Sequence, residues 1–462
     1  MTGMYRIGRL MWQLGAVVVS AIAGAIYRWM RWIAHRPPRV VHGIAPLHSL
    51  RESVLADRTQ GTIAHSAVLY ARQNSIYDLT TEKEFDYVVT SAQSMAQWKY
   101  WKCLCRVLLR ADIWSASFTP FWPGQYRRLN TWIMRLVRLS GIKIIAYPYG
   151  TDGAGRDRCR DRFDWIGEIQ KDYPAWDMVE HYDRTKFVIN LFCKYSDLVI
   201  GMDGSVRRFL PRNDIYCKTI PVDTQKLQPS PDFRGNAIPV IVHAPNHRHV
   251  KGTEFLLDAL ALVRAAEIPF ELKLVERVAR TEAIEIYKTA DLIADQFVMG
   301  AYGVFALECL ALEKPVMTYL DHDHLCNPLF NLPIVNTNRW NLATVVACLL
   351  AVPELRHRIG RAARESVVKY QSLEAIGELN KVMYDHVWWG KPLDLETTRH
   401  FGAERTPRSF SENPRDPDFW PVPVEDVMAR IRKACDRIEA CLSASDVACS
   451  MVTQSGCQVE NA

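Results

Sequence analysis

Two neighbouring stretches decide the fold: residues 238–276, IPVIVHAPNHRHVKGTEFLLDALALVRAAEIPFELKLVE, and residues 286–320, IYKTADLIADQFVMGAYGVFALECLALEKPVMTYL. They contain a continuous apolar run at 240–242, a second strand pattern at 270–275 and a third, short one near Leu292, and helical patterns separate these strands. Apolar strands that alternate with helices are typical of a parallel sheet covered on both faces. The two stretches therefore predict an α/β domain.

Each stretch also places a loop in front of a helix. The first loop precedes the helix that opens at Gly252-Thr253, and it carries three basic residues, His243, Arg248 and Lys251. The second loop, Gly300-Ala301-Tyr302-Gly303, begins a helix that contains Glu308. Because the first N–H groups of a helix lack intrahelical partners and carry partial positive charge, both loops suit an anion such as a diphosphate.

This segment resembles the donor-nucleotide half of GT-B glycosyltransferases, specifically glycosyltransferase family 4. The resemblance covers residues 238–320 and, more weakly, 140–225. The pieces that carry it are the loop ending in Lys251-Gly252-Thr253, the Tyr287…Ala290-Asp291 step, the Gly-Ala-Tyr-Gly turn, Leu307-Glu308, Lys314-Pro315-Val316, Tyr195-Ser196-Asp197-Leu198-Val199 and Ile220-Pro221-Val222-Asp223. It implies two Rossmann-like, doubly wound parallel-sheet domains facing a cleft. It also implies transfer of a sugar from a nucleotide-diphosphate donor, with retention of configuration and without a metal or other cofactor.

The resemblance also implies a set of donor-binding residues. They are His243, Arg248, Lys251, Gly252, Glu276, Tyr302, Gly303, Val304 and Glu308. Glu308 would hold the ribose, and the two cations would hold the diphosphate and stabilise it as it leaves. The family often carries a first glutamate that touches the donor sugar, but this chain has Gly300 at that position. Asp295, five residues earlier, is the candidate substitute and is predicted to be catalytic.

Other interpretations of these residues stay open. Arg248 and Lys251 also fit a solvated basic loop, and Glu308 also fits a structural pair with a Lys or Arg elsewhere. Asp152 lies in a loop, 147–153, that follows the apolar run IKIIAY, and it is the second catalytic candidate. It could contact the acceptor, act as a base or cap a helix. No counterpart of the histidine common in the first half of related enzymes is evident.

The positive charge of the chain comes from its amino terminus. The formal net charge is +6. Residues 1–40 contain no Asp or Glu, and their arginines are Arg6, Arg9, Arg28, Arg31, Arg36 and Arg39. The rest of the chain is therefore balanced in charge, which excludes a broad nucleic-acid surface. A cationic, apolar terminus favours anionic lipid as a partner.

The apolar run from Leu10 to Tyr27 is predicted to anchor the chain to a membrane. It is barely long enough to span a bilayer, and a helix lying in one leaflet fits its flanking arginines and tryptophans. A cleaved signal peptide and a buried core helix are further alternatives. If the run spans, the excess of arginines after it places the body on the cytoplasmic side. The 12 scattered cysteines predict a reduced, cytosolic chain without a metal site.

The chain divides into four predicted parts. Residues 1–40 are the membrane-anchoring segment, 41–228 a Rossmann-like acceptor domain, 229–390 a Rossmann-like nucleotide-sugar donor domain, and 391–462 a partly disordered extension. Apolar runs in the acceptor domain predict strands at 67–70, 87–89, 113–114, 143–147 and 198–200, and a helix at 127–139. The basic, proline-containing segment 36–39 is interpreted as the start of a linker.

These observations predict a membrane-associated glycosyltransferase that acts on a glycan or lipid-linked acceptor. A non-catalytic nucleotide-sugar-binding or scaffold subunit of a membrane glycan-assembly complex is the main alternative, because Gly300 and the missing histidine depart from the family. A nucleotide-sugar epimerase of the same fold is a third hypothesis, which the anchor disfavours because its substrate is soluble.

Overall fold

The computed structural model describes most of the chain. The described residues are 2–44, 49–69, 86–89, 96–122, 126–148, 165–172, 178–201, 210–217, 220–231, 235–321, 332–396, 398 and 411–455. They form two compact units. Unit 1 consists of Met1–Cys159, Ala175–Thr224 and Val368–Glu404, and unit 2 of Arg160–Pro174, Gln225–Val367 and Arg405–Ala462.

Unit 1 is built on a parallel sheet of seven strands in the order β3-β2-β1-β4-β5-β6-β7. The strands are β1 Arg39–Ile44, β2 Ile63–Leu69, β3 Tyr87–Val89, β4 Ile113–Ser117, β5 Lys143–Tyr147, β6 Leu198–Gly201 and β7 Ile215–Tyr216. Strand order reverses between β1 and β4, as in dinucleotide-binding folds. The predicted strands at 87–89 and 143–147 have the observed bounds. The linker predicted at 36–39 ends instead in β1, which pairs with both β2 and β4 near the centre of the sheet.

Among the described residues, six helices precede or connect the strands up to β6. They are α1 Thr2–Ile33, α2 Ser49–Thr59, α3 Ala96–Arg110, α4 Arg127–Leu139, α5 Trp165–Asp172, which belongs to unit 2, and α6 Met178–Tyr195. Helix α4 has the bounds predicted from the sequence. The core of unit 1 includes Trp114, Phe121 and Phe192, and it also includes Val17 and Ala21 of α1. One side of the amino-terminal helix is therefore part of this core.

Unit 2 contains a parallel sheet of five strands in the order β12-β11-β10-β8-β9. The strands are β8 Val240–His243, β9 Glu271–Leu274, β10 Leu292–Ala294, β11 Val316–Thr318 and β12 Val335–Asn336. The central strands β8, β10 and β11 are fully buried, as their unbroken apolar sequence predicts. Strand order reverses between β8 and β10, so this sheet is also doubly wound.

The remaining helices continue the numbering along the chain. They are α7 Arg248–Lys251, α8 Thr253–Ala265, α9 Arg280–Lys288, α10 Val304–Ala311, α11 Leu342–Ala351, α12 Pro353–Tyr370, α13 Leu373–Trp389 and α14 Met428–Ser455. Helix α14 packs against α11 through buried residues that include Ile431, Cys435 and Ile438. The part of the carboxyl-terminal extension that forms α14 thus contributes to the core of unit 2.

Candidate functional site

The candidate site lies in unit 2, where β8 and β10 end side by side. His243 closes β8, Asp295 follows β10, and the two strands pair in parallel. In open α/β sheets, ligands bind outside the carboxyl ends of the strands at the point where strand order reverses. Residues that the sequence places far apart in the chain, from 243 to 308, meet at this edge.

His243 is held in place by two hydrogen bonds. Its Nδ1 donates to the carbonyl oxygen of Ala294 at 2.8 Å, so its Nε2 accepts from the hydroxyl of Thr253 at 2.9 Å. The side chain is completely buried, and burial lowers its pKa to about 4. The imidazole is therefore neutral at pH 7 and joins β8, β10 and the start of α8. Its predicted contact with the donor stays a prediction.

Lys251 forms an ion pair with Asp295. Its Nζ lies 2.8 Å from Oδ1 of Asp295, and the two side chains are 15% and 0% exposed. The second carboxylate oxygen of Asp295, Oδ2, is buried and has no hydrogen-bond partner among the residues that the structure describes. A buried carboxylate needs an opposite charge beside it, so Asp295 holds the Lys251 ammonium group in one position. The catalytic role of Asp295 stays a prediction, and its carboxylate has no exposed surface.

Arg248 lies at the surface of the same edge. Its Nε donates to Oε1 of Glu276 at 2.9 Å and its Nη2 donates to Oε2 at 3.2 Å. Its Nη1 lies 3.8 Å from Oε1 of Glu254. Arg248 and Glu276 are both well exposed, so this pair contributes little stability and an anionic ligand can compete for the guanidinium. Gly252, between α7 and α8, has a φ of 73°, a left-handed conformation that favours glycine.

Glu308 lies in the second turn of α10 and is almost fully buried. Arg280, the first residue of α9, donates to its Oε1 from Nε at 2.9 Å and from Nη2 at 2.6 Å. Burial raises the pKa of the Glu308 carboxyl, and the guanidinium opposes that shift. Both bonds end on the same oxygen. The sequence left a basic partner for Glu308 open, and the structure identifies it as Arg280.

The turn before α10 contains the other predicted donor-binding residues. Gly303 caps the helix with extended backbone, Val304 is its first residue, and Tyr302 is buried. Gly300, where the family often has glutamate, lies against Asp321. A β-carbon at Gly300 would lie 2.5 Å from the Asp321 Cβ and 2.9 Å from its backbone nitrogen. No side chain fits at Gly300 without a shift of this backbone.

Unit 1 holds a second polar cluster, which sequence reasoning missed. Asp57 of α2 is completely buried and accepts hydrogen bonds from Asn380 Nδ2 and Tyr384 Oη of α13, both at 2.8 Å. Nε2 of His42, in β1, lies 2.7 Å from the same carboxylate. A histidine inside an apolar strand was the available signal. These hydrogen bonds join α2, β1 and α13, and a small cavity lined by His42, Asn380 and Tyr384 lies beside them.

The remaining predicted residue, Asp152, lies outside the described residues. Tyr147, the first residue of its predicted loop, ends β5 at the carboxyl edge of the unit 1 sheet. Among the described residues, no group of three or more His, Cys, Asp or Glu side chains could hold a metal ion.

No family model and no curated protein sequence matches this chain. Several solved structures, however, are similar to this chain. Sucrose-phosphate synthase from Thermosynechococcus elongatus is similar with a TM-score of 0.51 and 12% identity, over 77% of this chain and 100% of the synthase chain. HepE of Anabaena, in a structure titled as a complex with UDP, is similar with a TM-score of 0.49 and 12% identity, over 74% of this chain and 97% of the HepE chain.

The likeness to the synthase, together with two doubly wound parallel sheets, shows a GT-B fold. The fold class predicted from the sequence is therefore confirmed. At 12% identity the comparison defines the fold and not the family.

Proposed function

We propose that this chain is a metal-independent glycosyltransferase of family 4 type. It would move a sugar from a nucleotide-diphosphate donor to a hydroxyl of a glycan or lipid-linked acceptor, with retention of configuration. The donor would bind the predicted domain at 229–390 and the acceptor the predicted domain at 41–228. The amino-terminal segment, 1–40, would attach the protein to a membrane with its body on the cytoplasmic side.

The observation that carries this proposal is the pair of cations at the edge between β8 and β10. Arg248 and Lys251 are three residues apart, and both precede the first turn of α8. A guanidinium and an ammonium beside a helix start can bind a diphosphate and stabilise the negative charge that develops as it leaves. The buried carboxylate of Asp295 holds the Lys251 ammonium group in place.

Glu308 would accept hydrogen bonds from the ribose. Because both Arg280 bonds end on Oε1, one guanidinium can hold the carboxylate while it binds hydroxyl groups. Catalytic roles for Asp295 and Asp152 remain part of the proposal.

Replacement of both cations tests the diphosphate site. In the double variant Arg248→Ala, Lys251→Ala, we expect nucleoside-diphosphate affinity to fall at least tenfold, which corresponds to about 1.4 kcal/mol. Calorimetric titration with UDP, GDP, ADP and dTDP would first identify the nucleotide that the native protein binds. The control is Lys288→Ala, Arg430→Ala, which removes two cations of surface ion pairs elsewhere in unit 2. Because Lys251 pairs with the buried Asp295, melting curves check that each double variant is folded. Equal affinity in both double variants would contradict the assignment, as would a native protein that binds no nucleotide.

Glu308→Gln tests the ribose contact. The variant keeps the shape and removes the charge, so we expect nucleotide affinity to fall at least tenfold, since hydrogen bonds to charged groups contribute on the order of 1.5–3 kcal/mol. The melting temperature without ligand should change little, because burial already disfavours the carboxylate. Glu285→Gln, at an exposed position on α9, is the control. A large loss of stability with intact nucleotide affinity would assign Glu308 to a structural ion pair with Arg280.

The crowded environment of Gly300 favours a second candidate function, a nucleotide-sugar-binding subunit without catalysis. Asp321 excludes a side chain at the position where the resemblance places a sugar-contacting glutamate. Turnover of a nucleotide sugar by the purified protein would separate the two functions. Binding without sugar transfer or donor hydrolysis would favour the subunit.

A further inference from the structure

Helix α1 presents polar and small residues to the protein and apolar residues to its surroundings. The buried positions recur at helical spacing along one face: Gln13, Val17, Ser20, Ala21, Gly24, Arg28 and Arg31. The opposite face exposes large apolar side chains: Met11, Trp12, Val18, Val19, Ile22, Ile26, Trp29, Met30, Trp32 and Ile33. A surface helix of a water-soluble domain normally has the reverse arrangement.

Arg28 fixes the carboxyl-terminal half of α1 to unit 1. Its guanidinium donates to the carbonyl oxygens of Leu108, Ala111 and Ser140 at 2.6–2.9 Å, and the residue is 3% exposed. Arg31 is also buried and lies 3.1 Å from the carboxylate of Asp112. Arg39, just after α1, lies 2.9 Å from the same carboxylate. The guanidinium groups of all three arginines therefore have partners within the protein.

The contacts between α1 and α3 extend over several turns of both helices. Val17 and Ala21 of α1 share a buried cluster with Leu104 of α3, and a β-carbon at Gly24 would collide with the carbonyl oxygen of Leu108. Helix α3 in turn packs on β1, β2 and β3, so it belongs to the body of unit 1. By length and composition, Met11–Ile33 could cross a membrane. A helix attached in this way cannot cross a bilayer unless α3 and its sheet enter the bilayer too.

The exposed face has the size and composition of a lipid-contacting surface. From Met11 to Ile33 it extends about 33 Å at the rise of an α-helix. Trp12, Trp29 and Trp32 are each more than half exposed, and tryptophan is enriched at the interface between lipid and water. Leu109 and Leu139 are also exposed. They are the chain neighbours of Leu108 and Ser140, whose carbonyl oxygens accept hydrogen bonds from Arg28. They extend the apolar surface beyond α1.

We infer that α1 lies in the plane of the membrane, with its exposed face inserted into one leaflet and its buried face attached to unit 1. This inference rests on the membrane attachment in the proposed function. Of the two alternatives left by the sequence, it selects the in-plane helix over the spanning one. The basic residues at the two ends of the helix, Arg6 and Arg9 at one end and exposed Arg36 at the other, suit anionic lipid.

Vesicle binding by two matched variants tests the inserted face. We expect Val19→Glu, Ile22→Glu, Ile26→Glu to reduce co-sedimentation with phosphatidylcholine–phosphatidylglycerol vesicles more than tenfold. The control, Ile238→Glu, Val368→Glu, Leu442→Glu, changes three exposed apolar residues outside α1 and should bind like the native protein. Circular dichroism and melting curves check that each variant is folded. Equal binding of the two triple variants would overturn the inference.

Protease treatment of sealed vesicles tests the orientation. With an epitope tag at the amino terminus and native protein added from outside, an in-plane helix leaves the tag open to digestion on the same side as the body. Protection of the tag in protein that sediments with vesicles would show a spanning helix and overturn this inference while membrane attachment stands. Failure to sediment with any vesicle would contradict attachment itself.

Sedimentation velocity without lipid tests whether the exposed face of α1 instead binds a second copy of the chain. A native dimer that becomes a monomer in the α1 variant, with no vesicle binding by either, would assign the face to self-association and overturn the inference. Calorimetry with the nucleotide on the same preparations reports separately on the donor site, so loss of membrane binding with intact nucleotide affinity leaves the donor-site assignment standing.

Discussion

Asp112→Ala should lower the free energy of unfolding of unit 1 by about 3–5 kcal/mol, the usual result of removing one partner from a buried ion pair. Asp112 is completely buried and holds Arg31 and Arg39 through its two carboxylate oxygens. It also accepts a hydrogen bond from the backbone nitrogen of Arg39 at 2.8 Å, at the start of the central strand β1. Its removal leaves two largely buried guanidinium groups without their carboxylate.

Urea unfolding, followed by hydrogen exchange in β1 and β4, would measure the effect within unit 1. Asp426→Ala, at an exposed carboxylate paired with Arg358 in unit 2, is the control and should leave the transition nearly unchanged. A loss for Asp112→Ala as small as that of the control would mean that the ion pairs of Asp112 with Arg31 and Arg39 do not stabilise unit 1. The same contacts predict that deletion of residues 2–33 destabilises unit 1.

The second large effect concerns pH and His243. Burial lowers the pKa of this imidazole to about 4, from an ordinary value of 6.5. Between these pH values the unfolded chain binds a proton that the folded chain does not, so the stability that the neutral imidazole provides is complete above pH 6.5. It falls as the pH drops toward 4, by about 3 kcal/mol in total.

His243→Gln should remove this dependence. We expect the unfolding free energy of the native protein to fall more steeply between pH 6.5 and 4 than that of the variant, as measured by urea titrations at several pH values. The two proteins have the same carboxylates, so the contribution of those groups cancels when one unfolding free energy is subtracted from the other. His357→Gln, at an exposed position in unit 2, is the matched control and should follow the native curve. Parallel curves for the native protein and His243→Gln would show that the imidazole is not buried in its neutral form.

Much of the fold followed from apolar patterning. Strands of a parallel sheet are buried on both faces, so they appear as unbroken apolar runs, and those at 143–147 and 292–294 were found in this way. Strand β1 was missed because it directly follows a basic, proline-containing segment that was interpreted as a linker. Its place beside β2 and β4 depends on pairings with residues 63–68 and 113–115, which no local pattern reveals.

The candidate site was predictable in part. Arg248, Lys251 and Glu308 were found because a loop before a helix and a carboxylate in an apolar helix are local features. Their partners were not predicted as such: Glu276 lies 28 residues from Arg248, Asp295 lies 44 residues from Lys251, and Arg280 lies 28 residues from Glu308. Ion pairs of this kind depend on which strands lie side by side.

By itself, the sequence determined two parallel-sheet regions, a basic loop suited to a diphosphate and an apolar, cationic amino terminus. Each of these is a property of residues that are neighbours in the chain, since the spacing of apolar residues, the length of an apolar run and the local charge are all evident within one segment. Only the tertiary structure decided which arginines of α1 are exposed. Arg28 and Arg31 are buried because carbonyls and a carboxylate between residues 108 and 140 surround them, and the apolar face of α1 is thereby turned outward.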